Sequence, residues 1–381
     1  MRIAHVGLCS HFTENVTYQD NQLSAQNVAD GHEVLYISSA DRFENGVLVP
    51  TGYEDKLLSN GVHLVRLPYV HIINDFISDK VRKVRGLYQL IENFKPDVIL
   101  CHGQCYWSVL DVVRYKRNHP EIKLYTDTHT AADNSGANWL SLHVLHRIFY
   151  RYLVQRLLPY IERYFYIGSA EKAFAIENYG VSESIMEFYP LGGEIPSEEA
   201  YAEARTRRRM ELGVASDELL LIHSGKLEPK KKTEELLRAF AAVPELKTRL
   251  AVIGSIPDNM KDRLIPLMEA DKRVNYLGWR SAEELLEYLC ACDLYVQPGK
   301  VSATMQNAVC CGCPILSYPH RAYTEAYDYG NFIWAASEEE LSAAFRTIAA
   351  GGYNLSTMRE GSRRCARELL DYRRLAARLY Q

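Results

Sequence analysis

The sequence predicts an α/β protein made of two doubly wound domains in series. Three observations lead there. Short, unbroken apolar runs alternate with stretches of helical spacing along nearly the whole chain, the pattern of parallel sheets flanked by helices. The pattern starts afresh near residue 219, so it occurs twice. At 381 residues the chain is too long for one core and fits two domains of ordinary size. A hydrophobic content of 47% and a charged content of 24% are globular values. The formal net charge of -4 gives no reason to expect nucleic acid as a partner.

Arg2–Val6 reads as a buried first strand. The loop from Gly7 to about Asn21 is long and polar, carrying Cys9, Ser10, His11, Tyr18, Gln19 and Asp20, as functional loops at strand ends often do. A helix over 21–30 stops at Gly31, and 32–38 is the second strand, which completes a β-loop-α-β unit. Residues 41–60 are a polar excursion compatible with a hairpin, and 62–67 is a strand ending at Pro68. Leu87, Leu90 and Ile91 share one face of a helix expected over 80–94. The next strand, from 96, runs into His102-Gly103, and a helix follows over 107–116.

Residues 123–129 form a strand whose carboxyl end, Asp127-Thr128-His129, is acidic and imidazole-bearing; it continues into Asp133-Asn134-Ser135. A long helical run over 143–163 carries Arg147, Arg151, Arg156 and Arg163. It is either a core helix with its arginines in water or a segment that lies on an anionic membrane. A strand at 164–167, a helix capped by Ser169 and ending at Gly180, and a strand at 186–189 close the first half.

Residues 198–210 are densely charged, a solvent-facing helix or a linker. Then comes Leu219–Phe240. Its apolar run Leu219–Ile222 is a strand buried on both faces, and His223-Ser224-Gly225 is a turn. Lys226, Lys230, Lys231 and Lys232 precede a helix with Thr233 as expected N-cap and Glu234 and Glu235 in its first turn. Lysines between a strand's carboxyl end and a helix start suit an anionic ligand, most simply a phosphate; as a charge run they equally suit a solvated loop. Further strands are expected at 249–253, 274–277, 294–297 and 314–317, with helices at 233–243, 258–270, 282–291, 303–311 and from 337. The domains are then 1–195 and 196–355, with a final basic helix, 356–381, packing back on the first.

The start of the chain is too short and polar-broken for a signal peptide, and no apolar run reaches the roughly 18–20 residues needed to span a bilayer. Neither the Cys101/Cys105 pair nor the 310–313 cluster has partners at zinc-site spacing, so the nine cysteines read as buried, reduced thiols of a cytoplasmic protein.

Taken together, several segments carry a resemblance. Gly225-Lys226-Leu227, Lys231 and Leu237-Arg238-Ala239-Phe240 are similar to the G-[RK]-L…K…L-x-A-F segment of retaining, nucleotide-sugar-dependent glycosyltransferases of family four. Val274–Trp279 followed by Cys292–Pro298 resembles that family's F-L-G…A-D-V-x-V-x-P-S segment, and Asn307–Ile315 its E-A-M-A-C-G-x-P-V. Pro190–Glu194 resembles P-x-G-V-D, and Gly31–Val34 matches G-H-E-V. The matches run in the right order over nearly the whole chain.

The resemblance implies a GT-B architecture, two doubly wound Rossmann-like domains facing across a cleft. It implies transfer of a hexose or N-acetylhexosamine from a UDP- or GDP-sugar to a glycan or lipid-linked glycan, in surface polysaccharide assembly, with peripheral contact to the inner face of the cell membrane as an option. It implies no cofactor and no metal. Lys226, Lys231 and His129 take the catalytic roles. Gly225, Trp279, Arg280, Gly299, Ser302, Ala303, Thr304, Gln306 and Asn307 bind the donor. Tyr18, Gln19, Asp20, His102, Asp127, Asp133 and Asn134 line the acceptor side. The sequence departs from the family where two glutamates eight positions apart are usual: Gly299 and Asn307 stand there. No carboxylate nucleophile at double-displacement spacing can be assigned, and Asp127 and Glu325 are the acids to watch; the resemblance implies same-face transfer, with the leaving phosphate helping to deprotonate the acceptor. A nucleotide-sugar-binding pseudoenzyme and a sugar-nucleotide epimerase are the alternatives.

Overall fold

Strand β1 (Arg2–Gly7) is buried from Ile3 onward and sits at the middle of the first sheet. The protein is described by a computed structural model that covers residues 1–381 except 15, 17, 45–46, 133, 136–137, 301–302, 321–325 and 381. The chain divides into two compact units, Met1–Pro190 with Tyr372–Gln381, and Leu191–Asp371.

In the first unit the strands after β1 are β2 (Glu33–Ser39), β3 (Asp41–Glu44), β4 (Val47–Pro50), β5 (Glu54–Leu57), β6 (His63–Leu67), β7 (Val98–His102), β8 (Lys123–Thr128), β9 (Arg163–Tyr166) and β10 (Met186–Phe188). Among the described residues, eight of them form a sheet in the order β10-β9-β8-β7-β1-β2-β6-β5. Its neighbours run parallel, apart from β5 on β6. The strand order reverses between β1 and β7, which makes their carboxyl ends a topological switch point, where such sheets bind ligands. Every residue of β7 is buried, as expected for a strand with helices on both faces. β3 and β4 form the hairpin within the polar excursion.

In the second unit the strands are β11 (Leu219–Ser224), β12 (Thr248–Ile253), β13 (Val274–Gly278), β14 (Leu294–Gln297), β15 (Ile315–Ser317) and β16 (Phe332–Trp334). They lie in the order β13-β12-β11-β14-β15-β16, all parallel, and the order reverses between β11 and β14. The core joins Leu221, Val252, Leu294 and Val296 of the sheet to Leu236, Leu237, Phe240 and Phe345 of the helices. β16 is not among the strands expected from the sequence, although 332–336 is an unbroken apolar run.

Several local expectations are corrected. The helix expected over 80–94 is two helices, Asp75–Val81 and Leu87–Phe94. Asn74 caps the first by accepting from the Ile77 N–H, Arg82 ends it in the left-handed region at φ 51°, and Gly86 at φ 85° starts the second. Ser169 is not a cap; the N-cap position belongs to Gly168. Thr233 is not one either, because Lys232 holds that position and the Thr233 hydroxyl turns inward to His223. The final helix expected over 356–381 breaks at Asp371: Leu355–Cys365 stays in the second unit, and Tyr372–Ala377 joins the first. There Leu375, Ala376 and Leu379 pack on Ile3, Leu23 and Tyr189.

The charged segment is helix Glu198–Glu211, capped by Ser197, and it is bound to the sheet rather than loose. Arg205 and Arg209 both reach Asp293, at the start of β14. Among the described residues, no helix is long and apolar enough to cross a membrane.

Candidate functional site

At the switch point of the second unit, four strands end at or beside glycines that bring backbone against backbone. Gly225 has φ +131° and Gly254 has φ +140°. A Cβ on Gly254 would lie 1.8 Å from the Gly225 carbonyl oxygen, and one on Gly299 only 2.2 Å from that of Lys230. Gly299 is therefore more than a turn residue. A glutamate, usual in the family at this position, would need the two segments to part.

The Lys300 N–H donates to the Lys230 carbonyl at 2.8 Å, and Lys231 Nζ donates to the Lys300 carbonyl at 2.8 Å. Gln297 Nε2 donates to the same Lys300 carbonyl at 3.0 Å. Lys231 is thereby held against Gly225, where an added Cβ would sit 3.3 Å from Lys231 Cε. Burial and the neighbouring Lys300 push Lys231 below the ordinary lysine value, and Glu228 partly offsets them. Lys226 is exposed and pairs with Glu228 at 2.9 Å. Beneath them His223 donates from Nδ1 to the Val296 carbonyl at 2.8 Å and so accepts at Nε2 from Thr233. Burial pulls it down to about 4, so it is a neutral brace between β11, β14 and the helix start.

The other expected donor residues are spread more widely. Trp279 is exposed after β13, and Arg280 donates to the Trp279 carbonyl and lies 4.0 Å from Glu284. Ala303 and Thr304 open helix Ala303–Cys310; Ser302 lies outside the described residues. Asn307 is half-buried, with Oδ1 3.2 Å from where a Gly193 Cβ would be. Gln306 is turned inward, with Nε2 donating to the Tyr327 hydroxyl at 3.2 Å. Of the two, Asn307 is the more open, while the Gln306 amide nitrogen is engaged and its Oε1 is buried without a partner.

In the first unit the carboxyl ends of β1, β7 and β8 meet at a polar cavity of about 520 Å³. Asp20, His102, His129 and Asn134 all line it. Behind them runs a buried chain of hydrogen bonds. Asn27 Oδ1 accepts from His5 Nε2 at 2.9 Å, so neutral His5 accepts at Nδ1 from His102 Nε2 at 2.9 Å. His102 Nδ1 donates to Asp127 Oδ2 at 2.8 Å and lies 3.5 Å from Asp20 Oδ1. Burial lowers the His102 imidazole, but Asp20 and Asp127 more than offset it and raise it to about 9. Burial and the His102 charge hold His5 down at about 3. The result is one buried imidazolium between two carboxylates, with a neutral histidine behind it.

Asp20 also accepts from the Tyr36 hydroxyl at 2.7 Å and from Ser10 at 3.0 Å. Burial alone would raise it; His102, His129 and these donors lower it. Asp127 is wholly buried, its second oxygen taken by the Gly103 N–H at 3.0 Å, and so it braces the site without lining it. His129 Nε2 is buried, 3.8 Å from Asp127 Oδ1, and makes no hydrogen bond.

Two expected acceptor-side residues fall elsewhere. Tyr18 is exposed before the first helix, and Gln19 is buried with Nε2 donating to the Pro190 carbonyl at 3.1 Å. Asp133 and Glu325 lie outside the described residues. Residues with no site signal in the sequence also belong here. His5 reads as part of a core strand, Lys80 and Arg82 as helix charges, and His146 as one position in a long helical run. Lys80, Arg82 and His146 line the cavity. His146 is neutral, pulled down to about 4 by burial, and bonds Tyr179 and Ser135.

Residues 21–192 match the family described as Glycosyltransferase Family 4, and residues 204–363 match Glycosyl transferases group 1. A curated relative, alpha-galactosylglucosyldiacylglycerol synthase of Streptococcus pneumoniae, is 22% identical over 204 residues, 52% of this chain and 51% of that protein. The chain thus spans about half the length of the curated relative it matches. Among solved structures, Anabaena HepE in complex with UDP aligns at a TM-score of 0.69 and 15% identity, covering 99% of this chain and 98% of that one. A glycosyltransferase from Rickettsia africae aligns at 0.68 and 13%, covering 99% and 96%. At such identities the likeness shows the fold, which is the GT-B class.

Proposed function

This chain belongs to the glycosyltransferases, with a family 4 N-terminal half and a group 1 C-terminal half, and from that membership we propose that it moves a hexose or N-acetylhexosamine from a UDP- or GDP-sugar to a glycan or lipid-linked glycan, with retention of configuration. The observation that carries the reading is the switch point of the second unit, where Lys231 is fixed on the Lys300 carbonyl beside Gly225 and exposed Lys226 is paired with the surface carboxylate of Glu228. Transfer expels a nucleoside diphosphate, and negative charge builds on its pyrophosphate as the sugar becomes oxocarbenium-like. Cations already in place stabilise that charge with no metal needed. The crystal structures of HepE with UDP and with UDP-glucose favour UDP as the base to test first.

The first unit supplies His129 for a sugar hydroxyl or the transition state, while Asp127 is too buried and too occupied to act as a nucleophile. We therefore assign the deprotonation of the acceptor to the leaving phosphate on the same face. The test is a thermal-shift screen of UDP, GDP and their sugars, with and without EDTA. A ligand at 100 times its Kd stabilises by about 2.7 kcal/mol. One nucleotide family is expected to shift the protein, with EDTA making no difference. Lys226→Ala and Lys231→Ala are each expected to weaken it about tenfold, or roughly 1.4 kcal/mol. No shift with any nucleotide sinks the reading; binding without turnover of any UDP- or GDP-sugar makes the chain a nucleotide-sugar-binding pseudoenzyme.

We also propose a cytoplasmic protein that touches an anionic membrane through helices Ser141–Tyr150 and Arg151–Leu157. Leu153, Val154 and Leu157 are buried beneath that surface, and Arg147, Arg151 and Arg156 are exposed. Trp139, Leu140, Val144, Ile148 and Tyr152 are exposed with them. The sequence has no Asp or Glu from 134 to 161. An apolar surface ringed by arginines and free of acids suits anionic headgroups. Vesicles of phosphatidylglycerol should pull the protein down and those of phosphatidylcholine should not. Trp139→Ala/Ile148→Ala should lose most of that binding; equal binding to both lipids rejects the contact.

A further inference from the structure

The cavity of the first unit contains a cation that the proposed transfer does not use. Arg82 follows the helix Asp75–Val81 in the left-handed region at φ 51°, a conformation that non-glycine residues rarely adopt. Its backbone N–H closes the helix on the Ser78 carbonyl at 2.8 Å. Its side chain lines the cavity, half-buried, and donates from one terminal nitrogen to the Cys105 carbonyl at 3.3 Å. Its Nε is buried and has no hydrogen-bond partner. Among the described residues, no carboxylate lies within ion-pair distance of it.

Each of these features costs stability. A non-glycine residue held in the left-handed region is strained. A guanidinium drawn out of water with no anion beside it costs more, which is why buried arginines are normally paired. The carboxylates around it are engaged by other groups. Asp20, on the same cavity, is held by Tyr36 and Ser10 and faces the His102 imidazolium. Asp79 is engaged by Lys80 at 2.7 Å. Lys80 lines the cavity too, so two cations face it, and Arg82 has the open fork. His129 Nε2 is a second buried nitrogen there without a hydrogen bond. At about 520 Å³ the cavity lies in the range of small-molecule sites.

We propose that the acceptor carries a phosphoryl group and that Arg82, with Lys80 beside it, receives that group. The guanidinium fork offers paired N–H donors, the geometry that phosphate oxygens take best. The inference rests on the proposed transfer only for the word acceptor. The phosphoryl site itself stands on the first unit, and its test does not depend on the donor. A soluble sugar phosphate and a lipid phosphate present the same group, and the test separates them.

Binding is measured by calorimetry at matched ionic strength, with inorganic phosphate and acetate as probes. Glucose 6-phosphate and dioctanoyl phosphatidic acid then represent the two sources. Four proteins are compared: wild type, Arg82→Asn, Arg82→Lys and Lys226→Ala/Lys231→Ala. Asn tolerates the left-handed backbone, so its variant should fold; Lys keeps the charge and loses the fork.

The double lysine variant lacks the anion site of the second unit, and in that variant phosphate is expected to keep one site with the affinity of the Arg82 site in wild type, acetate binding more weakly. Arg82→Asn should lose at least tenfold in phosphate affinity, and Arg82→Lys should fall between. The source whose affinity exceeds that of inorganic phosphate, and drops in Arg82→Asn, identifies the acceptor class. Phosphate binding unchanged in Arg82→Asn and Arg82→Lys, lost in the double lysine variant, or absent in wild type overturns the proposal. Failure of UDP to bind, with the Arg82 result intact, would remove the donor reading and leave this site standing.

Discussion

Replacing Asp293 by Ala lowers the stability of the second unit by about 3–5 kcal/mol, the usual cost of removing one partner from a buried charge cluster. Asp293 is 7% exposed. Its Oδ1 accepts from Arg205 at 2.6 Å, with Arg359 at 3.4 Å, and its Oδ2 accepts from Arg209 at 2.6 Å and from the Leu220 N–H at 2.8 Å. One carboxylate therefore ties helix Glu198–Glu211, helix Leu355–Cys365 and the start of β11 to β14. Its loss leaves three arginines facing one another.

Burial alone would raise the Asp293 carboxyl; Arg205, the Leu220 N–H and Arg209 outweigh it and hold it below the usual value. A folded-state value below the unfolded one means that this contribution is present above about pH 4 and is lost as pH falls below that. Urea unfolding followed in the second unit should show the Ala variant weakened at pH 7 and the gap to wild type closing in acid. A variant within 1 kcal/mol of wild type at pH 7 would sink this account of the clamp.

The second large effect is a stability maximum near pH 6.5 in the first unit, set by the His5–His102 pair. His102 is about 9 in the folded protein and about 6.5 unfolded. The folded state thus holds a proton that the unfolded state has released between those values. Its contribution is complete below about pH 6.5 and is lost as pH rises towards 9, a change of about 3 kcal/mol. His5 works in the opposite sense. It stays neutral down to about 3 in the folded protein, while the unfolded chain takes up its proton below about 6.5. Stability therefore falls on the acid side as well. Unfolding midpoints from pH 4 to 9.5 should trace this dome in wild type. His102→Asn should lose the alkaline slope and be destabilised at pH 7, because Asp20 and Asp127 then face each other with no cation between them. An unchanged alkaline slope in that variant would show that another group carries it.

What could be read ahead depended on how local its cause is. The helices 258–270 and 282–291 were expected with the bounds they have, since their apolar spacing and the Ser281–Glu284 capping box lie within one segment. The lysines after β11 were visible because strand, turn and helix follow one another in the chain. Gln19 and Gln306 read as available in the sequence because a polar residue at a strand or helix end has no local partner. In the fold Pro190 and Tyr327, both far away in sequence, take their amide nitrogens, while the amide oxygens stay buried without a partner. Asp293 was noticed only as part of a motif; its arginines come from residues 205, 209 and 359.

The sequence by itself determined the two doubly wound units, the strand-end lysines and the histidine after β8. Periodicity, glycine placement and strand-to-helix turns are properties of neighbours along the chain. Only the tertiary structure decided that His5, His102, Asp20 and Asp127 share one proton network, that Gly299 leaves no room for a glutamate, and that Arg82 lines a cavity with no carboxylate partner among the described residues. Those facts depend on β1 lying beside β7 and on residues 230–231 lying against 299–300. Burial and electrostatics act through space, where residues a hundred positions apart are in contact, and no local pattern records that distance.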